Sequence, residues 1–187
     1  QPYIFPYIGY FQLIKAVDKF VILDDVNFIM RGWINRNRIL VNDSDFLFSI
    51  PVEKASQNKL ISDCVLADLR VKGKLLKTIE HSYKKAPYFK DCFEVISSVL
   101  TANETNLSKW LAFQIKIICN YLEINTIIVD SSGIYNNRHL RAQDKIIYVC
   151  NQDNEESYYN SFAGRHLYNQ DYFKSINRDL RLICSFL

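Results

Sequence analysis

The sequence predicts an α/β fold, a layered sandwich in which helices flank a mostly parallel central sheet, and two observations carry that expectation. Short, nearly continuous apolar runs at residues 19–23 and 125–129 each end in acidic residues, Asp24 and Asp25 after the first and Asp130 after the second. Runs of that length and composition suit strands buried on both faces. Longer amphipathic stretches lie between and after them, and strands interleaved with helices build layered α/β domains. The 187 residues are 49% hydrophobic, enough for one domain with a full core. No repeat, low-complexity tract or Pro/Gly/Ser-rich linker divides the chain, so residues 1–187 read as a single domain.

Taken in order, residues 1–10 hold four aromatics, two prolines and one glycine. Proline pushes the residue before it toward extended geometry, so Gln1 and Phe5 cannot begin a helix, whereas residues 10–16 can. The result is a rigid, aromatic-walled loop that either lines a binding site or covers one end of the core. After the strand at 19–23, residues 46–50, stopped by Pro51, and residues 60–66 alternate in polarity. They read as an inserted hairpin or edge pair around 45–66, with the polar loop 54–59 between them. A helix then turns Leu75, Leu76, Ile79 and Tyr83 inward. Residues 106–122 give the clearest helix, with Leu107, Trp110, Leu111, Ile115, Ile118 and Leu122 on one face and Asn103 or Thr105 as its cap. Trp110 belongs to the core. Another helix covers 141–151, with Ile146, Ile147, Val149 and Cys150 on its inner side, and residues 180–186 close the sheet.

Composition excludes several classes. The five cysteines are spread evenly, with no C-x-x-C pair and no histidine at metal spacing, and read as buried thiols of a reducing, cytoplasmic compartment. No apolar stretch reaches the roughly 18 residues that span a bilayer, and the first residues lack signal-peptide order. A net charge of +3 is too mild to argue for nucleic acid. The charge is uneven, however: Arg70, Lys72, Lys74, Lys77, Lys84, Lys85 and Lys90 share 21 residues with one acid, Glu80. That stripe reads as a solvated helix face, and an aminoacyl-tRNA donor is the partner that would give it another use.

The strings QPYIFPYIGYFQLI, DKFVILDD, RGWINRNRI and, more weakly, YYNSFAGRHLY closely resemble the WbqC-like family of bacterial surface-polysaccharide gene clusters, over essentially the whole chain. The resemblance implies a role in O-antigen synthesis and, for some members, glycine transfer onto amino sugars. It also implies a strand ahead of Gln1, because members usually begin with a short methionine-initiated strand before the Gln-Pro. Near the C-terminus Ala163 takes the first of two places where relatives often show glycines, while Gly164 permits a tight turn or a close backbone approach. The order strand, Pro-containing loop, Gly with aromatics, helix, strand ending in Asp also resembles the Rossmann-like nucleotidyltransferases that carry a His-x-Gly-His signature. Tyr7-Ile8-Gly9-Tyr10 stands in its place, phenols for imidazoles, so that analogy concerns the fold rather than the phosphate chemistry.

In open α/β sheets ligands bind beyond the carboxyl ends of the strands. The implied first strand would deliver Gln1, Tyr3, Tyr7, Gly9 and Tyr10 to that edge, the second Asp24 and Asp25, and the strand at 125–129 Asp130 and Ser131, all in one crevice. Adjacent carboxylates on a strand cannot point the same way, so one of Asp24 and Asp25 faces the ligand as a proton acceptor or hydroxyl holder, or satisfies loop amides. Arg31, Arg36 and Arg38 with Asn35 and Asn37 form a donor-rich segment suited to a diphosphate or carboxylate. Strand alternation puts Trp33, Asn35 and Asn37 on one side and Arg36 and Arg38 on the other. The first set is favoured for the ligand, with Arg31 reaching in from the loop and Trp33 stacking on a base or sugar. Asn160 and Tyr168 are candidate contacts, and Arg141 opens a helix whose N-terminus could receive an anion. His81, His139 and His166 are scattered, so spacing supports neither a catalytic triad nor a metal centre.

These readings converge on a cytoplasmic aminoacyl transferase that joins glycine or a small acyl group to a nucleotide-linked amino sugar, with Asp24 or Asp25 as base. Two alternatives stay open: an ATP- and Mg²⁺-dependent adenylating ligase, and a non-catalytic module that holds a glycan precursor or partner.

Overall fold

The computed structural model describes residues 1–184. The fold is mixed α/β, with helices α1 (Ile8–Lys15), α2 (Arg70–Tyr83), α3 (Phe89–Thr101), α4 (Leu107–Tyr121), α5 (Ala142–Gln152) and α6 (Gln170–Ser175). Its strands are β1 (Lys19–Val21), β2 (Arg36–Val41), β3 (Ser44–Ser49), β4 (Ile127–Val129), β5 (Ser157–Ser161) and β6 (Asp179–Ile183). The chain divides into two compact units, one of Gln1–Phe5 with Ile22–Asn125, the other of Pro6–Val21 with Thr126–Leu187.

In place of one mostly parallel central sheet, the described strands form three two-stranded sheets: β1 with β4, β2 with β3, and β5 with β6. The two apolar runs do supply parallel strands, β1 pairing with β4 and Phe20 standing opposite Ile128, but neither is buried on both faces: β1 is half-buried and Ile127 is 63% exposed. Each contributes three residues because local polar groups divert the chain at both ends. The Thr126 hydroxyl donates to the Ile14 and Val17 carbonyls before β4, and Ser131 Oγ accepts from the Gly133 amide just after it, closing a 3₁₀ turn. β5 and β6 are also parallel, with Ser157 opposite Asp179, so the part of 180–186 that lies in β6 pairs only with β5. Its last two residues lie outside the described residues.

In the first unit, residues 46–50 do form a hairpin, but with β2, not with residues 60–66. Asn42 and Asp43 connect the strands with φ of 50° and 59°, the left-handed pair that a two-residue hairpin requires. Residues 60–66 make a 3₁₀ turn (Ile61–Asp63) flanked by single bridges, Asn27 with Leu60 and Val52 with Leu66.

Helices α2, α3 and α4 supply much of this unit's core, where Trp110 is fully enclosed with Leu107, Leu111, Val99, Leu75 and Ile79. Its indole donates to the Val99 carbonyl at 2.9 Å. Truncating such a side chain typically costs about 3–5 kcal/mol. The α4 cap is Asn106, whose Oδ1 accepts from the Lys109 amide at 3.0 Å, so neither Asn103 nor Thr105 is needed. Lys72 departs from the solvated stripe. Three, four and seven residues ahead of Leu75, Leu76 and Ile79, it falls on the inner face of α2 and is 2% exposed. Its ammonium donates to the Ala102 carbonyl after α3 and lies 5.0 Å from the Trp110 ring, and burial lowers its pKa.

The second unit buries Ile147, Phe173 and Leu180, with Tyr158 and Tyr168 against them. Lys19 bridges Asp153 at 3.2 Å, and Asp153 also accepts from the Tyr135 hydroxyl at 2.6 Å.

Burial pushes the Cys119 and Cys150 thiols from 9.0 up to about 11. The unfolded chain therefore ionises these thiols first, and stability present below pH 9 is lost as pH rises toward 11. Urea midpoints should fall across that window in the parent protein and fall less in the Cys119→Ala, Cys150→Ala double variant. Equal slopes for the two proteins would show that the thiols carry none of the dependence.

Candidate functional site

Five backbone groups of the opening segment are paired one by one. The Ile4 amide donates to the Ile34 carbonyl at 3.1 Å. Gln114, on α4 and 0% exposed, reaches back with both ends of its amide: Nε2 donates to the Tyr3 carbonyl at 3.1 Å and Oε1 accepts from the Phe5 amide at 2.9 Å. Asn37 of β2 donates to the Ile4 and Phe5 carbonyls, both at 2.8 Å. Phe5 takes a φ of 45°, not the extended geometry expected of a residue before proline. A left-handed non-glycine residue costs on the order of 1–3 kcal/mol. Bonds on both sides of it, each worth about 1 kcal/mol, offset that cost. Ile4 lies in the core, Phe5 packs on it, and Gln1 and Tyr3 are less enclosed.

Asp24 and Asp25 are each 2% exposed. Their position follows from two successive backbone pairings. Residues 24–28 pair with 59–62, through Ser62 N to Asp24 O at 3.0 Å, Ile61 N to Val26 O at 2.9 Å and Phe28 N to Lys59 O at 2.8 Å. Residues 64–66 then pair with 105–107, and the Asn106 side chain donates to the Ser62 carbonyl at 2.7 Å. Asp24 is thereby set against the first turn of α4, where the Ser108 hydroxyl donates to its Oδ2 at 2.6 Å. A carboxylate at a helix's first turn is favourably placed against the amide dipoles.

The donor-rich segment is turned, not extended, over residues 31–35, and strand alternation starts only at Arg36. The consequence is a correction. Arg36 and Arg38 lie on the Trp33 side, their guanidinium carbons 6.0 and 5.7 Å from its ring centroid. Asn35 and Asn37 use their amides on backbone, Asn35 donating to the Ile50 carbonyl at 2.8 Å. Gly32 makes the turn: a Cβ there would stand 2.9 Å from Ile29 Cγ2 and 3.1 Å from the Ile29 carbonyl oxygen. Arg31 is exposed with a φ of 59°.

In the second unit, Tyr7 is an exposed residue at the start of α1, Gly9 is buried in that helix, and Tyr10 packs edge-on against Phe20 at 5.5 Å. Asp130 is exposed after β4, while Ser131 caps the turn described above. Asn160 accepts from the Ser161 amide, and a Cβ at Gly164 would come within 2.6 Å of its Nδ2, so the neighbour crowding this glycine is a side chain. Tyr168 shares a 3.1 Å hydrogen bond with the half-buried Tyr158. Arg141 donates to the Arg138 carbonyl at 2.6 Å. An open depression of about 540 Å³, lined by Glu156, Lys174, Asn177, Arg178 and Arg181 among others, contains none of the expected site residues. No group of three or more metal-ligating side chains occurs among the described residues.

Gln114 and Ser108 escaped the sequence reading. Gln114 had a signal: it sits seven residues after Leu107 and three after Leu111, on the apolar face of its helix, where a polar residue needs a buried partner.

A model of the WbqC-like protein family matches residues 1–184. The chain belongs to the WbqC-like family. It is also 30% identical over 128 residues to an uncharacterized protein, Rv1507c, of Mycobacterium tuberculosis (strain ATCC 25618 / H37Rv). That match covers 67% of this chain and 55% of the relative, so this WbqC-like chain spans about half the length of the curated relative it matches. No solved structure matches it.

Replacing Gln114 with leucine keeps the volume but strands the Tyr3 carbonyl and the Phe5 amide. It should cost about 2–4 kcal/mol in urea denaturation. An unchanged midpoint would show that the clamp does not hold the segment.

Proposed function

We propose that this protein is a cytoplasmic transferase of bacterial surface-polysaccharide synthesis that forms an amide between a glycyl group and the amine of a nucleotide-linked sugar. The observation that carries this reading is the pair of buried carboxylates, Asp24 and Asp25, with the Ser108 hydroxyl fixing one oxygen of Asp24 at 2.6 Å. A carboxylate held in one orientation is suited to take a proton from an attacking ammonium. The amine nitrogen then bonds to the carbonyl carbon of an activated glycyl ester. The carbon–oxygen bond to the leaving group breaks, the aspartate returns its proton to that oxygen, and the amine's second proton passes to solvent. Arg31 supplies charge for the diphosphate, and Trp33 offers a half-exposed ring for the base or sugar.

Two further facts support the reading. The family membership points toward surface-polysaccharide chemistry. Within the second unit, the parallel β1–β4 pair is followed directly after β4 by Asp130, and α/β folds bind ligands beyond the carboxyl ends of such parallel strands. No helix among the described residues is long and apolar enough to cross a membrane.

A non-catalytic binding module is the second reading, favoured by the near-complete enclosure of both aspartates. The full-length protein should be assayed by mass spectrometry with nucleotide-linked amino sugars and activated glycine, with and without ATP and Mg²⁺. Asp24→Asn or Asp25→Asn should lower turnover about a hundredfold or more while sugar-nucleotide affinity stays within about twofold. Turnover unchanged in both variants would overturn the base assignment. Turnover that requires ATP would move the reaction to the ligase class, and binding without turnover would leave the module.

A further inference from the structure

We propose that Trp33, Arg36 and Arg38 form the nucleoside-diphosphate subsite, a stacking platform whose half-exposed indole receives the base while the guanidiniums over the ring turn to hold the diphosphate. The ligand class rests on the transferase reading; the site itself rests on its geometry.

The two tryptophans differ sharply. Trp110 is wholly enclosed, whereas Trp33 is 51% exposed in a turn that presents it outward. The turn is built to hold the ring in that position. Gly32 allows the Ile29 side chain and carbonyl to close on the backbone, and the Gly32 amide donates to the Ile29 carbonyl at 3.1 Å. Arg36 locks the other side: its Nε donates to the Gly32 carbonyl at 3.0 Å and its Nη2 to the Arg31 carbonyl. Arg36 is therefore fixed 6.0 Å from the indole before any ligand arrives, which lowers the ordering cost of binding.

Arg38 is two residues further along β2, on the same face of the strand, at 5.7 Å from the ring. Its Nη1 reaches Asp45 on the neighbouring strand at 3.3 Å, with both side chains more than half exposed. A pair so wet is weak, and an incoming phosphate can replace the carboxylate as partner. Two guanidiniums thus meet one acid, Asp45, at a half-exposed aromatic ring. Arg31 adds a third cation beside the turn.

That combination selects its ligand by chemistry. A neutral sugar would leave the guanidiniums without an anion, and inorganic phosphate would leave the exposed part of the indole unused. A planar base joined to a diphosphate satisfies both, with base–aromatic stacking and bidentate guanidinium contacts.

Acrylamide quenching of tryptophan fluorescence in the full-length protein tests this directly, because Trp33 is exposed and Trp110 is not. The probes are UDP, CDP, GDP, ADP and dTDP, with pyrophosphate and uridine as partial ligands. At least one nucleoside diphosphate should shield the quenchable tryptophan and bind more tightly than either partial ligand. By calorimetry its affinity should fall about tenfold in Trp33→Ala and in Arg38→Ala, the loss expected for one stacked base or one charged contact, with Arg38→Lys recovering part. Both sites are exposed, and thermal unfolding of each variant confirms the fold. If no nucleoside diphosphate alters quenching, or if both variants bind like the parent, the subsite is overturned. Its fate separates from that of the transferase. Glycyl transfer with an unchanged KM in both variants removes the platform and keeps the reaction, whereas variant-sensitive UDP or ADP binding without any transfer keeps the platform and removes the reaction.

Discussion

The amide of Gln114 is the contact on which the first unit depends. It is a fully buried polar group whose two ends meet two different backbone atoms of Tyr3–Phe5. Inside a core, a primary amide is tolerated only when its donors and acceptor find partners, and here the partner is a chain segment with no regular structure of its own. Asn37 completes the arrangement from β2. The two amides take the place of a sheet's hydrogen bonds, which lets Ile4 enter the core and lets Phe5 keep a conformation that side-chain-bearing residues rarely adopt.

Where a helix has one apolar face, its position could be read from sequence. Residues 106–122 and 141–151 match α4 and α5 within one residue at each end, and Trp110 lies where its spacing puts it. That residues 19–23 and 125–129 hold parallel strands was legible for a similar reason, because each run is apolar and closed by polar residues. Sheet connectivity was not. Pairing is decided by distant partners, and the three-residue ladder ends where Thr126 and Ser131 prefer nearby backbone, a competition that hydrophobic pattern does not display. The hairpin carried a local signal in Asn42-Asp43, outweighed by the more conspicuous alternation further along. Alternation counted from Trp33 sets Arg36 and Arg38 on the side away from the indole, whereas the backbone becomes extended only three residues later, at Arg36, and both arginines stand at the ring.

Within the first unit the chemistry is sorted by solvent. The carboxylates Asp24 and Asp25 are buried, with one oxygen of Asp24 held by Ser108, while Arg38 beside Trp33 is wet. Electrostatic interactions are strong and geometry-dependent where water is excluded, and weak but readily exchanged where it is not. Fixed groups of the first kind suit a reacting centre, and exchangeable groups of the second kind suit capture and release of a charged ligand.

The chain passes between the two units at residues 5–6, 21–22 and 125–126, so each unit is assembled from two separate pieces. Time enters the structure through this interleaving. Tyr3 and Phe5 leave the ribosome well before their amide partner, which lies 111 and 109 residues later. At synthesis rates of about 5–20 residues per second, those first residues wait on the order of ten seconds before their place in the fold exists. During that interval Ile4 and Phe5 are apolar side chains without a core, exposed to whatever else binds nascent hydrophobic chain.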